Sequence, residues 1–161
     1  MPDTDMLLRI AYDAAEAGNF EHARRCYESG AALGDSMCLQ ALGYMYDVGE
    51  GVAADKALAM KLYKKAWKRG DHAAATNIAI LYREIGNNRM MFRWYQRVAQ
   101  AGDGSAQLEM ARCYIGGTGV RKDIQAALRC LAVANASSYI TEYEREEAQA
   151  MLVALKPQSV G

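Results

Sequence analysis

The chain has 161 residues, 52% of them apolar, with two prolines, two phenylalanines, and 19 acidic side chains against 19 basic ones. That length supports one hydrophobic core, and the composition is that of a helical protein, excluding a disordered or fibrous chain. No apolar run approaches the roughly 18 residues that span a bilayer, and the start MPDTDMLLRI is acidic where a secretory leader is basic, so the expectation is a cytoplasmic protein with no membrane insertion.

Helices are predicted at about 5–17, 20–33, 36–48, 55–69, 72–85, 88–101, 104–115 and 123–136, with a ninth at about 140–155. The apolar spacing is helical: Leu42 and Tyr46 lie four apart, and Ala59, Leu62, Tyr63 and Ala66 share a face. Glycine followed by Asp or Asn at 18/19, 34/35, 70/71, 86/87 and 102/103 reads as a left-handed helix stop followed by an N-cap. Gly43 lies beside Leu42, where a missing side chain lets a neighbouring helix come close; Ala11, Ala79 and Ala111 hold the same place. Ser137 and Ser138 fall where Gly-Asp is expected and are read as caps of the final helix, in which Thr141 and Glu144 also have capping-box spacing. No strand pattern occurs.

The helices repeat. Gly34-Asp35 returns at 70/71 and 102/103, and Tyr27, Tyr63 and Tyr95 keep the same steps of 36 and 32 residues. A shift of 68 residues also carries Gly49, Gly51, Val52 and Asp55 onto Gly117, Gly119, Val120 and Asp123. Such a period marks helix pairs that cannot bury their apolar faces alone and must stack. One domain over 1–156 is expected, with repeats at about 5–34, 35–70, 71–102 and 103–138, a capping helix at 140–155 and a frayed tail at 157–161. The Gly-x-Gly loop at 49–51 has neither a strand before it nor a lysine in P-loop spacing after it, so it is read as a corner and not as a phosphate cradle.

The pattern Leu42-Gly43-x-x-Tyr46, Gly49-x-Gly51-Val52-x-x-Asp55, Ala59, Leu62-Tyr63, Ala66 and Gly70-Asp71 resembles the Sel-one-like repeat, a relative of the tetratricopeptide repeat. Residues 106–134 look like a second full copy, with Met110-Ala111 for Leu-Gly and Leu131 for the tyrosine. The other two units lack the Gly-x-Gly-Val extension and are closer to plain tetratricopeptide units. The resemblance implies an all-α, right-handed superhelix, a solenoid of about four helix-turn-helix repeats, whose first helices line a concave groove that holds proteins or peptides. It implies no catalysis.

If so, Tyr12, Glu16, Gln40, Tyr44, Asp47, Thr76, Ile80, Arg83, Leu108 and Arg112 share that groove. Aromatic and arginine anchors dominate interfaces, which singles out Tyr12, Tyr44, Arg83 and Arg112. The expected function is a non-enzymatic adaptor or scaffold; the alternative is an inhibitor or immunity-type protein that neutralises a toxin or enzyme in a tight complex. Charge is unevenly spread: residues 1–55 carry 3 basic and 10 acidic side chains, residues 56–97 carry 10 and 2. Lys61, Lys64, Lys65, Lys68, Arg89, Arg93 and Arg97 make a secondary basic surface. With zero net charge and no aromatic platform among them, a solvated face is favoured over nucleic acid, and an acidic protein or another copy of the chain remains a candidate partner.

No metal or cofactor is expected, since His22 and His72 have no partner at ligand spacing and there is no Cys-x-x-Cys. Cys26 and Cys130 occupy the core place of Leu62 and Trp94, and with Cys38 and Cys113 they are read as reduced structural thiols.

Overall fold

The computed structural model describes residues 3–155, so the tail expected to fray lies outside the described residues. It has helices α1 (Thr4–Glu16), α2 (Phe20–Leu33), α3 (Ser36–Val48), α4 (Lys56–Lys68), α5 (Ala73–Glu84), α6 (Asn88–Gln100), α7 (Gly104–Gly116), α8 (Ile124–Ala136) and α9 (Glu142–Leu155). Among the described residues there is no strand. The helices group into two compact units that divide after Ile78, within α5.

Each helix begins where a short polar side chain can satisfy its first free amides. Asp35 accepts from the Cys38 amide at 2.7 Å, Asp55 from Leu58 at 2.9 Å, Asp103 from Ala106 at 2.8 Å and Asp123 from Ala126 at 2.9 Å. At α9 the cap is Thr141, whose hydroxyl accepts from the Glu144 amide at 3.2 Å while Glu144 accepts from the Thr141 amide at 3.1 Å. The serines do something else. The Ser137 hydroxyl donates to the Gly102 carbonyl at 3.1 Å and accepts from the Tyr139 amide at 3.0 Å, which corrects their reading as caps of α9. The reason is position: α9 starts at Glu142, too far along for Ser137 or Ser138 to reach its amides.

In the first unit α1 packs on α2, α2 on α3, and α3 on α4. Tyr63 of α4 is fully buried and runs against Gly43 of α3, where an added Cβ would lie 2.8 Å from the Tyr63 ring. The tyrosine hydroxyl donates to Asp47 at 3.1 Å, and Asp47 also pairs with Lys56 at 2.5 Å. Burying a ring of this size contributes about 1.5–3 kcal/mol, provided its hydroxyl finds such a partner.

In the second unit α6 packs on α7, α7 on α8, and α9 on both α8 and α7. Met91, Leu108 and Leu131 are among its most deeply buried side chains, and Phe92 meets Tyr114 edge to face at 5.2 Å.

The two glycine-rich loops are corners with a specific fit. Gly51 and Gly119 have φ of +69° and +72°, a region that side chains with a Cβ resist. A Cβ on Gly51 would overlap the side chain of Phe20, the first residue of α2; one on Gly119 would overlap the main-chain oxygen of Asn88, the first residue of α6. The 68-residue step is therefore kept in the contact as well as in the sequence. Each loop closes on its own first helix, Asp55 N–H to the Tyr46 carbonyl at 2.8 Å and Asp123 N–H to the Tyr114 carbonyl at 3.0 Å.

Candidate functional site

In the first unit a pocket of about 270 Å³ is lined by Tyr12 and Ala15 of α1, Tyr27 of α2, Gln40, Ala41, Tyr44 and Met45 of α3, Glu50 and Asn77. Tyr12 and Tyr44 are 47% and 51% exposed, unusual for large rings, while Tyr27 is buried. Tyr12 stands edge to face on Tyr27 at 6.0 Å. Burial pushes the Tyr27 hydroxyl up to about 12, with the neighbouring Tyr12, Cys38 and Glu50 adding to it, so it stays a neutral donor at physiological pH. Among the described residues no side chain pairs with the Glu50 carboxylate. Of the other residues expected in the groove, Glu16 is exposed and Thr76 half-buried, and Asp47 is engaged by Lys56 and Tyr63 within its own repeat.

In the second unit Ile80, Arg83 and Arg112 are exposed, but Leu108 is only 1% exposed and belongs to the core, against expectation. The cause is that α7 is packed by α6, α8 and α9 together. Arg83 and Arg112 are on the surface yet already partnered. Arg83 pairs with Glu109, donates to the Tyr95 hydroxyl at 2.8 Å and lies 5.5 Å above the Tyr95 ring. Arg112 pairs with Glu109 and, at 2.6 Å, with Glu147 of α9. Sequence spacing could have shown the Glu109–Arg112 pair, three apart on one helix. It could not show Glu147, which reaches Arg112 only because α9 folds back along α7.

The basic residues expected to form a second surface are mostly exposed in each unit. Lys61, Lys65 and Lys68 of α4 are exposed and Lys64 is half-buried; on α6, Arg89, Arg93 and Arg97 are exposed, and Arg97 stacks over Trp94 at 4.3 Å.

All four cysteines are free and buried. Burial pushes the Cys38 thiol up to about 12 and Cys113 to about 11, and raises Cys130, so these three are held as protonated thiols and not as nucleophiles. His22 places Nε2 3.9 Å from the Cys26 sulfur, and His72 is exposed. Among the described residues no group of His, Cys, Asp or Glu is arranged to hold a metal, and no helix is long and apolar enough to cross a membrane.

The Sel1 repeat matches at residues 13–35, 36–71, 92–103 and 104–137, more than half of the chain. The chain belongs to the Sel1 repeat family. Sel1 repeats mediate protein–protein interaction. Among solved structures it is similar to a Sel1 repeat protein from Oxalobacter formigenes, with 25% identity and a TM-score of 0.77 over 93% of this chain and 62% of that one. It is also similar in fold to c5321, a protective antigen of uropathogenic Escherichia coli strains that displays an SLR fold, with 24% identity and a TM-score of 0.75 over 95% of this chain and 33% of that one. MamA shares the fold at 16% identity and a TM-score of 0.62, over 92% of this chain and 81% of MamA. The chain thus spans less than two thirds of the first two relatives. No curated protein matches it. These likenesses make the protein a Sel1-type α-solenoid.

Proposed function

We propose that this Sel1 repeat protein is a non-catalytic adaptor or scaffold that holds a partner protein or peptide, and that the surface around Tyr12 and Tyr44 of the first unit is where it does so. One observation carries the reading: two half-exposed tyrosines and a buried third line one pocket, with Gln40, Glu50 and Asn77 adding polar groups to its lining. Tyrosine is the side chain that offers a large rigid contact area together with a hydroxyl at low entropic cost, and interface hot spots are rich in it. The pocket suits one or two side chains of a partner, not a free metabolite enclosed on all sides. Four free, buried thiols support a reducing compartment such as the cytoplasm.

The test is affinity capture from the native host with the wild-type chain and with a Tyr12→Ala/Tyr44→Ala variant, followed by mass spectrometry. The expected result is a protein recovered in near-equimolar amount by the wild type and at least about tenfold less by the variant, with helicity and melting unchanged. Equal recovery by both would remove this surface as the site.

A further inference from the structure

The second unit contains an internal template for what the first-unit pocket takes. In the 68-residue register Tyr27 corresponds to Tyr95, Ala15 to Arg83, Ala41 to Glu109, Tyr44 to Arg112, Met45 to Cys113 and Glu50 to Thr118. Arg83, Glu109, Arg112, Cys113 and Thr118 line one pocket, as their counterparts line the other. In the second unit the chain supplies an arginine of its own: Arg83 stacks over Tyr95, donates to the Tyr95 hydroxyl and to the Met91 sulfur, and is neutralised by Glu109. In the first unit the position of that arginine is Ala15 and the position of its carboxylate partner is Ala41, so this unit supplies no arginine of its own there, and Tyr12 is the ring set against the buried Tyr27. A carboxylate is nevertheless present. It comes from Glu50, and no described side chain pairs with it.

We propose that the Tyr27 pocket of the first unit takes the guanidinium of an arginine on a partner peptide. The inference rests on the protein-binding reading above and gives the occupant's chemistry. The two half-exposed rings of Tyr12 and Tyr44 offer cation–π faces, Glu50 offers the counter-charge, and the side-chain carbonyls of Gln40 and Asn77 can accept from the remaining N–H groups of the five that a guanidinium carries. Arginine is preferred to lysine because its planar, weakly hydrated cation stacks on aromatic faces, as Arg83 does on Tyr95. The surroundings agree: residues 1–55 carry 10 acidic and 3 basic side chains, and two of those three, Arg24 and Arg25, already pair with Glu28 and Glu21. A basic segment meets an attractive field there.

The test uses the full ¹⁵N-labelled chain and three end-blocked peptides of sequence Gly-Ser-Leu-X-Leu-Ser-Gly, with X arginine, lysine or citrulline, the uncharged counterpart of arginine. The arginine peptide is expected to shift the amides around Gln40, Tyr44 and Glu50, with the citrulline peptide about tenfold weaker and the lysine peptide between them. Glu50→Gln should weaken the arginine peptide about tenfold, and added salt should weaken it further. Ala15→Arg, which copies Arg83 into the first unit, should abolish binding by filling the pocket from within. Equal affinity for arginine and citrulline peptides would overturn the inference and leave the protein-binding reading standing; equal affinity for lysine would overturn the choice of guanidinium. Unchanged binding in both Glu50→Gln and Ala15→Arg would overturn it as well. So would no response to any peptide together with concentration-dependent sedimentation, which would place a second copy of the chain on this surface. Failure of the protein-binding reading shows separately, as equal capture by the wild type and the Tyr12→Ala/Tyr44→Ala variant.

Discussion

The second and fourth repeats are built on one register but hold their helix pairs together with different chemistry. In the second repeat Asp47, Lys56 and Tyr63 form a polar link between α3 and α4. The residues 68 positions later are Ile115, Ile124 and Leu131, all apolar, with Leu131 fully buried. A similar exchange occurs at the helix ends. Arg69 donates to the Gly34 carbonyl at 2.9 Å, and its counterpart Ser137 donates to the Gly102 carbonyl at 3.1 Å, with a much shorter side chain. Between the two repeats the backbone requirement is constant, while the side chain that satisfies it is not. What does stay constant is the glycine loop, where the Phe20 Cβ in one repeat and the Asn88 main-chain oxygen in the other leave no room for a side chain.

This contrast can be broken or sharpened by substitution. The largest effect is expected at the invariant part: Gly119→Ala combines a left-handed φ with overlap on the Asn88 main-chain oxygen and should cost about 3 kcal/mol in urea unfolding, with Gly51→Ala similar or somewhat less. Next comes the exchangeable part. Tyr63→Leu, the residue of the fourth repeat, should cost about 2 kcal/mol by thermal melting, since it thins the contact with Gly43 and removes a hydrogen bond that Asp47 uses. Adding Asp47→Ile and Lys56→Ile should recover about half of that if the apolar trio is a working alternative, and nothing if the two backbones have diverged. Arg112→Ala should cost less than about 1 kcal/mol, because the pairs it makes with Glu109 and Glu147 are partly exposed. A double-mutant cycle with Glu147→Gln would show whether α9 is held to α7 by that pair at all.

The smallest effect is on acid stability. Burial raises the Glu144 carboxyl, but hydrogen bonds from the Thr141 hydroxyl and amide and from the Ser105 hydroxyl, with Arg112 nearby, outweigh it and leave Glu144 below its ordinary value. A carboxyl lowered in the folded chain stabilises it above the unfolded value and loses that contribution as pH falls through the folded one. Melting temperature should therefore drop from about pH 4.5 downward, and Glu144→Gln should flatten that limb while lowering the plateau slightly.

Much of this was legible in the sequence because the signals are local. Every cap from Asn19 to Asp123 sits next to the helix it starts, and a left-handed glycine precedes several of them, so the helix boundaries agree to within two residues. The register, and through it the family, followed from the 68-residue repeat of the glycine loops. The site was less legible, for a physical reason. Whether a residue on a first helix faces solvent depends on what lies over it: Leu108 is covered because α9 joins α6 and α8 around α7, and Arg83 is engaged because Tyr95 and Glu109 come to it from two other helices. Nothing within a few positions of either residue encodes that. Tyr12 and Tyr44, singled out by helical pattern, line the first-unit pocket, whereas Glu50, in a loop read only as a corner, lines it without having been singled out.

The seating of each glycine loop on the first residue of an earlier helix also says where this chain can be cut and spliced. A chimera joined between Phe20 and Gly51, or between Asn88 and Gly119, would ask one parent's loop to fit the other parent's helix start, Phe20 in one case and Asn88 in the other. Segments exchanged whole, from Asn19 through Asp55 or from Asn87 through Asp123, carry both halves of that fit and their own caps with them. The practical cassette is therefore one second helix with the helix and loop that follow it, offset by half a repeat from the helix pair by which the sequence is naturally parsed.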